Sequence, residues 1–370
     1  MRIAFIDPAD SFDYNPSTPL QKPLGGTQSA VSYLTAGLAR LGHGVALVNR
    51  LSRTGIYEGV DCPGWAVGFT PGYLESFDAV VGINAMMGAD LRAMGIRAPL
   101  VFWAHHAADE PAVAKLSDKN ERAAWDRVAL VSDWQKGEYL KSFAIDPERA
   151  VVLRNAISPA VEAARRDLAP FYRRAAPPTL IYTSTPFRGL DVLLLAFPAI
   201  RRQIAGCRLE VYSGMGIYGV PSERDGYRVL YDVCRALEGV EYKGVVGQTA
   251  LAEALTRADI LAYPNTFPET ACIGVMEAMA AGCLILTSKL AALPETTAGF
   301  GFLLPTHARP AVHASDFARM VGDVCRNALE NPGNFDRLIE AQSHYARTEY
   351  SWAARAKEWE RVLSALSRTG

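Results

Sequence analysis

The chain has 370 residues, too long for one ordinary hydrophobic core and suited to two domains of middling size. Apolar residues make up 49% and charged residues 21%, and 38 Lys and Arg nearly balance 39 Asp and Glu. That is an ordinary globular composition, and without a long basic stripe electrostatics offers no footprint for nucleic acid.

The N-terminus, Met1 to Asp7, has a short apolar run that ends at an acid, too short for a signal peptide. No stretch approaches the ~20 apolar residues of a membrane span. A cytoplasmic location is therefore expected, with a peripheral role at the inner membrane face left open. Six cysteines, Cys62, Cys207, Cys234, Cys272, Cys283 and Cys325, form no C-x-x-C pair and have no His at metal-ligand spacing. Reduced, buried thiols are expected.

Short apolar runs alternate with helical patterns along the chain. Strands are expected at Ile3–Ile6, Val45–Asn49, Ala79–Gly82, Leu100–Trp103, Ala129–Ser132 and Val151–Leu153. Between the first two lies an amphipathic stretch, Ser29–Leu41, stopped by Gly42-His43-Gly44 as helix C-termini are stopped. Residues 158–178 break the rhythm with Pro159, Pro170, Pro177 and Pro178 and two Arg pairs, and read as a linker. The pattern restarts with strands at Thr179–Ser184, Arg208–Ser213, Glu241–Val246, Ile260–Tyr263, Cys283–Ser288 and Gly301–Leu304. Helices are expected at Leu190–Arg202, Thr249–Thr256 and Gly274–Ala281, and a helical tail at Asp316–Leu366. A helix start at Ser351-Trp352 would put Trp352, Trp359 and Val362 on one apolar face.

Runs without polar alternation suit strands buried on both faces, and strand–helix–strand repetition implies parallel, doubly wound sheets. The fold class expected is α/β, with an N-terminal domain over 1–157, a linker over 158–178, a C-terminal domain over 179–345 and a final helix over 346–370. Ligands of such sheets sit at the carboxyl ends of the strands, and between two such domains the natural site is a cleft.

The stretch Tyr263 to Gly282 carries the most chemistry. Glu269 follows a strand and a proline-bearing loop, a helix begins near Ala271–Gly274, and Gly282 is placed to end it. Glu277 lies among small apolar residues, where a carboxylate without hydrogen-bond donors is costly. Two vicinal ribose hydroxyls would satisfy it. The backbone N–H groups of Ala271, Cys272, Ile273 and Gly274 at the helix start favour a diphosphate, and Glu269 can accept from sugar hydroxyls. The two glutamates would lie on the order of 12 Å apart were all eight steps helical at ~1.5 Å each. Gly25 and Gly26, ahead of a helix, either let the backbone approach a phosphate or sugar closely or form a plain loop turn. His105 and His106 follow a strand at its carboxyl end, where a His is either structural or functional, and Asp109 and Glu110 nearby either bind acceptor hydroxyls or are simply solvated.

Glu269 and Glu277 resemble the E-x7-E motif of retaining glycosyltransferases of GT-B fold, particularly family 4 (group 1). The resemblance runs in order through Gly25-Gly26-Thr27-Gln28, Leu38–Val45, Val151–Ile157, Asp259–Pro264, Met276–Gly282 and Ser351-Trp352. It implies two Rossmann-like domains facing across a cleft, with the C-terminal helix returning to the N-terminal domain. It further implies a nucleotide-sugar donor, a hydroxyl acceptor (glycan, lipid or small molecule), no nucleic acid, and no cofactor or metal.

On this resemblance Glu269, Arg188 and His105 are the expected catalytic residues, and Gly25, Gly26, Ala271 to Gly274 and Glu277 bind the donor. His106, which the sequence does not separate from His105, is a further candidate, with Arg154, Asn155, Gly214 and Gly216. Arg188 matches the family's diphosphate-facing Lys, but the Arg usually upstream is missing: Tyr182 to Thr185 stand there. That leaves half of the expected cationic clamp to Arg154 or another residue. The implied reaction is a front-face displacement with retention, in which the leaving phosphate oxygen takes the acceptor proton. Two alternatives stand beside it: a GT-B-shaped epimerase or phosphorylase, and a nucleotide-sugar-binding protein that has lost turnover.

Overall fold

The computed structural model describes residues 1–174 and 176–367. It divides into two compact units, Met1–Ala156 together with the chain from Trp352 onward, and Ile157–Ser351.

The first unit is built on an eight-stranded sheet. Its strands are β1 (Arg2–Ile6), β2 (Gly44–Val48), β3 (Gly55–Tyr57), β4 (Val60–Cys62), β5 (Ala79–Ile83), β6 (Leu100–Ala104), β7 (Arg127–Leu130) and β8 (Ala150–Val152), ordered β3-β4-β2-β1-β5-β6-β7-β8. Every pairing is parallel except β3 with β4. All residues of β5 and β6 are buried, as expected of central strands covered on both faces. The β3–β4 hairpin is not foreseen by the sequence pattern. Its strands have three residues each, and its turn, Glu58-Gly59, holds both residues at positive φ. That is the mirror-image geometry that suits a hairpin's twist, but Glu-Gly lacks the Asn-Gly or Asp-Gly signature.

The final helix, Trp352–Ser367, packs in this unit against the helix Gly26–Arg40. Trp352, Ala356, Trp359 and Leu363 are buried along one stripe. The Trp359 ring lies 4.9 Å from Trp103 and 6.1 Å from Phe5, and Trp352 lies 6.1 Å from Tyr33. Val362, expected on that face, is only half-buried; Leu363 takes the place.

The second unit holds six parallel strands: β9 (Thr179–Tyr182), β10 (Arg208–Val211), β11 (Val240–Tyr242), β12 (Ile260–Tyr263), β13 (Leu284–Ser288) and β14 (Phe302–Leu304). Their order is β11-β10-β9-β12-β13-β14, the doubly wound order whose direction reverses between β9 and β12. The expected helical tail is broken by Pro332 and at Tyr350-Ser351 into Pro310–Glu330, Pro332–Glu349 and Trp352–Ser367. The middle one belongs to this unit: Phe335, Gln342 and Ala346 are buried, and Gln342 Nε2 donates to the Cys283 carbonyl at 2.8 Å. Residues 346–351, read with the final helix, therefore stay with the second unit.

Residues 158–178 are not a free linker. Val161, Phe171 and Tyr172 are buried in the second unit's core. Asp259, immediately before β12, binds the segment. Its Oδ1 accepts from Arg166 Nη2 at 3.0 Å, Arg174 Nη1 at 3.1 Å and the Phe171 N–H at 3.1 Å. Its Oδ2 accepts from Arg174 Nη2 at 2.6 Å and the Thr179 N–H at 2.9 Å. The prolines and Arg pairs that suggest a linker instead make a folded strap, because a buried carboxylate binds one arginine of each pair, Arg166 and Arg174.

All six cysteines are buried and free. Among the described residues no helix is long and apolar enough to cross a membrane, and no group of three or more His, Cys, Asp or Glu is placed to hold a metal ion.

Candidate functional site

The strand order reverses between β9 and β12, the place at whose carboxyl ends doubly wound sheets bind ligands. The loop after β9 carries Thr183 to Gly189, and the loop after β12 carries Pro264 to Cys272. They touch at Gly189, whose φ is +99° and where a Cβ would lie 2.2 Å from the Pro264 carbonyl oxygen. Only glycine permits both the conformation and the approach. Gly189 then starts the helix Leu190–Gln203.

That contact brings Arg188 onto Glu269. Arg188 Nη1 donates to both carboxylate oxygens, at 2.9 and 3.1 Å, and the Tyr263 hydroxyl donates to Oε1 at 2.6 Å. The guanidinium also lies over the Phe267 ring at 4.8 Å and the Phe187 ring at 5.4 Å. The Glu269 side chain is 4% exposed and that of Arg188 23%. Burial works against the Arg188 charge, but the Glu269 carboxylate beside it prevails and its pKa is raised, so Arg188 stays cationic. Where the upstream Arg is missing, Tyr182 is fully buried and donates to the Thr185 carbonyl at 2.7 Å. Thr183 and Ser184 offer only half-buried hydroxyls there. Of the described residues in these two loops, Arg188 is the one cation.

The helix Ile273–Ala281 follows, and Gly282, at φ +83°, ends it as expected. Cys272 is the N-cap, and its carbonyl accepts the Val275 and Met276 N–H groups. Ile273 and Gly274 thus form the first turn, ahead of the first intrahelical bonds. Burial raises the Cys272 pKa, so the cap is a neutral thiol. Ala271 and Cys272 lie in the loop before the helix. Half the steps from Glu269 to Glu277 are therefore not helical, and the all-helical span of about 12 Å does not apply. Gly274 faces the β9 loop, since a Cβ there would lie 3.3 Å from Thr183 Oγ1.

Glu277 is 3% exposed. Its Oε1 accepts the Ser158 N–H at 3.0 Å. Burial raises its pKa and the Ser158 hydrogen bond opposes the rise. Ser158 in turn caps the short helix Pro159–Ala163. The buried carboxylate thus ties the strap to the helix, a partner that the sequence does not reveal. Gly214 follows β10 in extended conformation, with Val245 so close that a Cβ would come within 2.7 Å, and Gly216 lies in the turn Met215–Tyr218. Asp225 closes that region, accepting the Met215 N–H at 3.2 Å and the Tyr231 hydroxyl at 2.8 Å.

The other candidates lie in the first unit. Gly25 is the N-cap and Gly26 the first residue of the helix Gly26–Arg40, so only one of the two precedes it. His105 and His106, inseparable by sequence, differ sharply here. His105 is anchored by its N–H to Asn84 Oδ1 at 2.7 Å, and its ring packs 4.7 Å from Trp103. Burial, helped by His106, lowers its pKa to about 3, so the imidazole is neutral. His106 makes a partly exposed 2.5 Å contact with Glu110, which also accepts the Ala107 N–H. Asp109 is exposed. Arg154 pairs with Asp133. Asn155 is buried, and its Oδ1 has no hydrogen-bond partner among the described residues.

Tyr263, Phe267 and Ser158 are members of the site that the residue pattern alone does not single out. Tyr263 closes an apolar strand and reads as core, and nothing local marks its hydroxyl as a partner of Glu269.

Residues 177–323 match the family described as glycosyl transferases group 1. The chain is 26% identical over 271 residues to a D-inositol 3-phosphate glycosyltransferase of Streptomyces scabiei (strain 87.22), an alignment that covers 69% of this chain and 57% of that protein's length. Its structure superposes on a glycosyltransferase from Rickettsia africae ESF-5 with a TM-score of 0.73 at 14% identity, covering 100% of this chain and 99% of the other. It superposes on Anabaena HepE in complex with UDP-glucose with a TM-score of 0.69 at 15% identity, covering 99% and 100%. Residues 177–323 thus carry the group 1 glycosyl transferase match, and the two α/β units share the GT-B fold of these solved glycosyltransferases.

Proposed function

We propose that this chain moves a hexose-type sugar from a UDP- or GDP-linked donor to a hydroxyl of a glycan, lipid or small molecule, with retention of anomeric configuration. The observation that carries the reading is the Arg188–Glu269 pair, set at the switch point beside the first turn of Ile273–Ala281. A cation and unpaired N–H groups suit a diphosphate, and a carboxylate beside them suits sugar hydroxyls. Glu277 takes the ribose hydroxyls, Gly214 and Gly216 shape the nucleotide pocket, and Gly25, Gly26 and neutral His105 contribute to binding of the sugar and the acceptor. In the reaction the bond from the anomeric carbon to phosphate oxygen breaks, the bond to the acceptor oxygen forms on the same face, and the acceptor proton passes to the leaving oxygen. Arg188 and the helix N-terminus hold the charge of the leaving diphosphate. The solved relative bound to UDP-glucose and the group 1 family match support the donor class.

A thermal-shift panel of UDP, GDP, UDP-glucose and GDP-mannose tests this. A ligand at 100 times its Kd stabilises the native state by about 2.7 kcal/mol, a rise of roughly 5–10 °C for a unit of this size. Silence across a broad panel of nucleotide sugars would sink the reading. A second reading, donor binding without turnover, draws on the single cation in the two loops. Product carrying a new glycosidic bond, or donor hydrolysis lost in Glu269→Ala, would exclude it.

A further inference from the structure

We infer that Tyr263 is a positioning residue for Glu269: its buried hydroxyl, 2.6 Å from Oε1, holds that oxygen so that Oε2 faces the donor sugar. The inference rests on the donor-site reading above and adds a residue to it.

The geometry separates the two partners of the carboxylate. Arg188 reaches Glu269 from a loop through one nitrogen, Nη1, which bridges both oxygens rather than gripping them as a fork. Its side chain is partly exposed, and its charge is what a diphosphate would compete for. Tyr263 reaches the same carboxylate from the last residue of β12, a strand buried throughout. Its ring is pinned edge-on against Tyr182, with centroids 5.8 Å apart, and Ser184 Oγ lies 3.3 Å from its hydroxyl. When a bound diphosphate draws Arg188 away, Tyr263 remains. It then keeps Glu269 in place and leaves Oε2 as the oxygen that accepts from a sugar hydroxyl. A hydrogen bond to a charged group made from a rigid element is one whose loss is felt at the atom it orients.

The test compares Tyr263→Phe with wild type and with Tyr182→Phe. The control removes an equally buried hydroxyl from the adjoining ring, one bonded to the Thr185 carbonyl and not to Glu269. Calorimetric titrations use UDP-glucose and GDP-mannose, each beside its bare nucleoside diphosphate. In Tyr263→Phe, the nucleotide sugar that wild type prefers should bind about 10-fold or more weaker, as expected for losing a hydrogen bond to a charge, with the bare nucleotide unchanged. Tyr182→Phe should leave the ratio of the two affinities at the wild-type value. Equal weakening of sugar and bare nucleotide in Tyr263→Phe would overturn the positioning role in favour of general loosening, and so would no change in either. Wild type that binds bare nucleotides but no nucleotide sugar would overturn the donor reading itself.

Discussion

Asp259→Ala probes the strap that the sequence presents as a linker. The carboxylate accepts five hydrogen bonds, three from two arginines and two from backbone N–H groups. Its side chain is 1% exposed, and those of Arg166 and Arg174 are 13% and 20% exposed. Removing it strands two largely buried guanidinium groups and two backbone donors. Breaking a buried ion pair from one side costs about 3–5 kcal/mol. For a unit in the range of 150–250 residues, each kcal/mol lowers the melting temperature by roughly 2–4 °C, so a fall of about 6–20 °C is expected. Calorimetry would measure it, and limited proteolysis should show new cleavage within 158–178. Asp259 immediately precedes β12 and Glu269 follows its other end, so nucleotide affinity well below the transition should stay near wild type. A fall under about 2 °C, with 158–178 still resistant to protease, would refute the anchoring argument and return the segment to a linker.

Gly189→Ala should lower stability by at least about 1–2 kcal/mol from its left-handed backbone alone, and more from the clash with the Pro264 carbonyl. Nucleotide-sugar affinity should fall with it, because the clash displaces the loop that carries Arg188 towards the diphosphate; an unchanged melt and titration would refute the contact. Because His105 titrates only near pH 3, the native state does not take up the proton that the unfolded chain binds below about pH 6.5. Its contribution to stability is therefore present above that pH and declines as pH falls towards 3. The melting temperature should drop less between pH 7 and 5 in His105→Gln than in wild type, and an NMR titration of His105 near pH 6.5 would contradict the burial argument. Trp359→Ala should cost about 3–5 kcal/mol, read by urea unfolding as a loss in the first unit, since the ring is fully buried against Phe5 and Trp103.

Much of the site is legible in the residues. Glu269 and Glu277 announce themselves as lone carboxylates around an apolar helix. Gly282 ends that helix where its position requires, and the unbroken apolar runs of β5, β6, β12 and β13 mark strands covered on both faces. Other features depend on contacts between segments far apart in the chain. Ser158 meets Glu277 across 119 positions, and Asp259 meets Arg166 across 93. No local pattern carries such a pairing, so proline and arginine content suggests a linker where a buried acid makes a strap. His105 and His106 are neighbours with the same side chain, and only burial against Trp103 or pairing with Glu110 tells them apart.

The sequence by itself determined two α/β units, their winding and the carboxylates at the candidate site, because hydrophobic periodicity and lone charges are local properties. Only the tertiary structure decided what those carboxylates touch. The order β11-β10-β9-β12-β13-β14 sets β9 beside β12, Gly189 lets their loops meet, and Arg188 and Tyr263 thereby close on Glu269. The physical reason is that a parallel sheet joins strands distant in sequence, so the chemistry at its reversal point is written in two places and read in one.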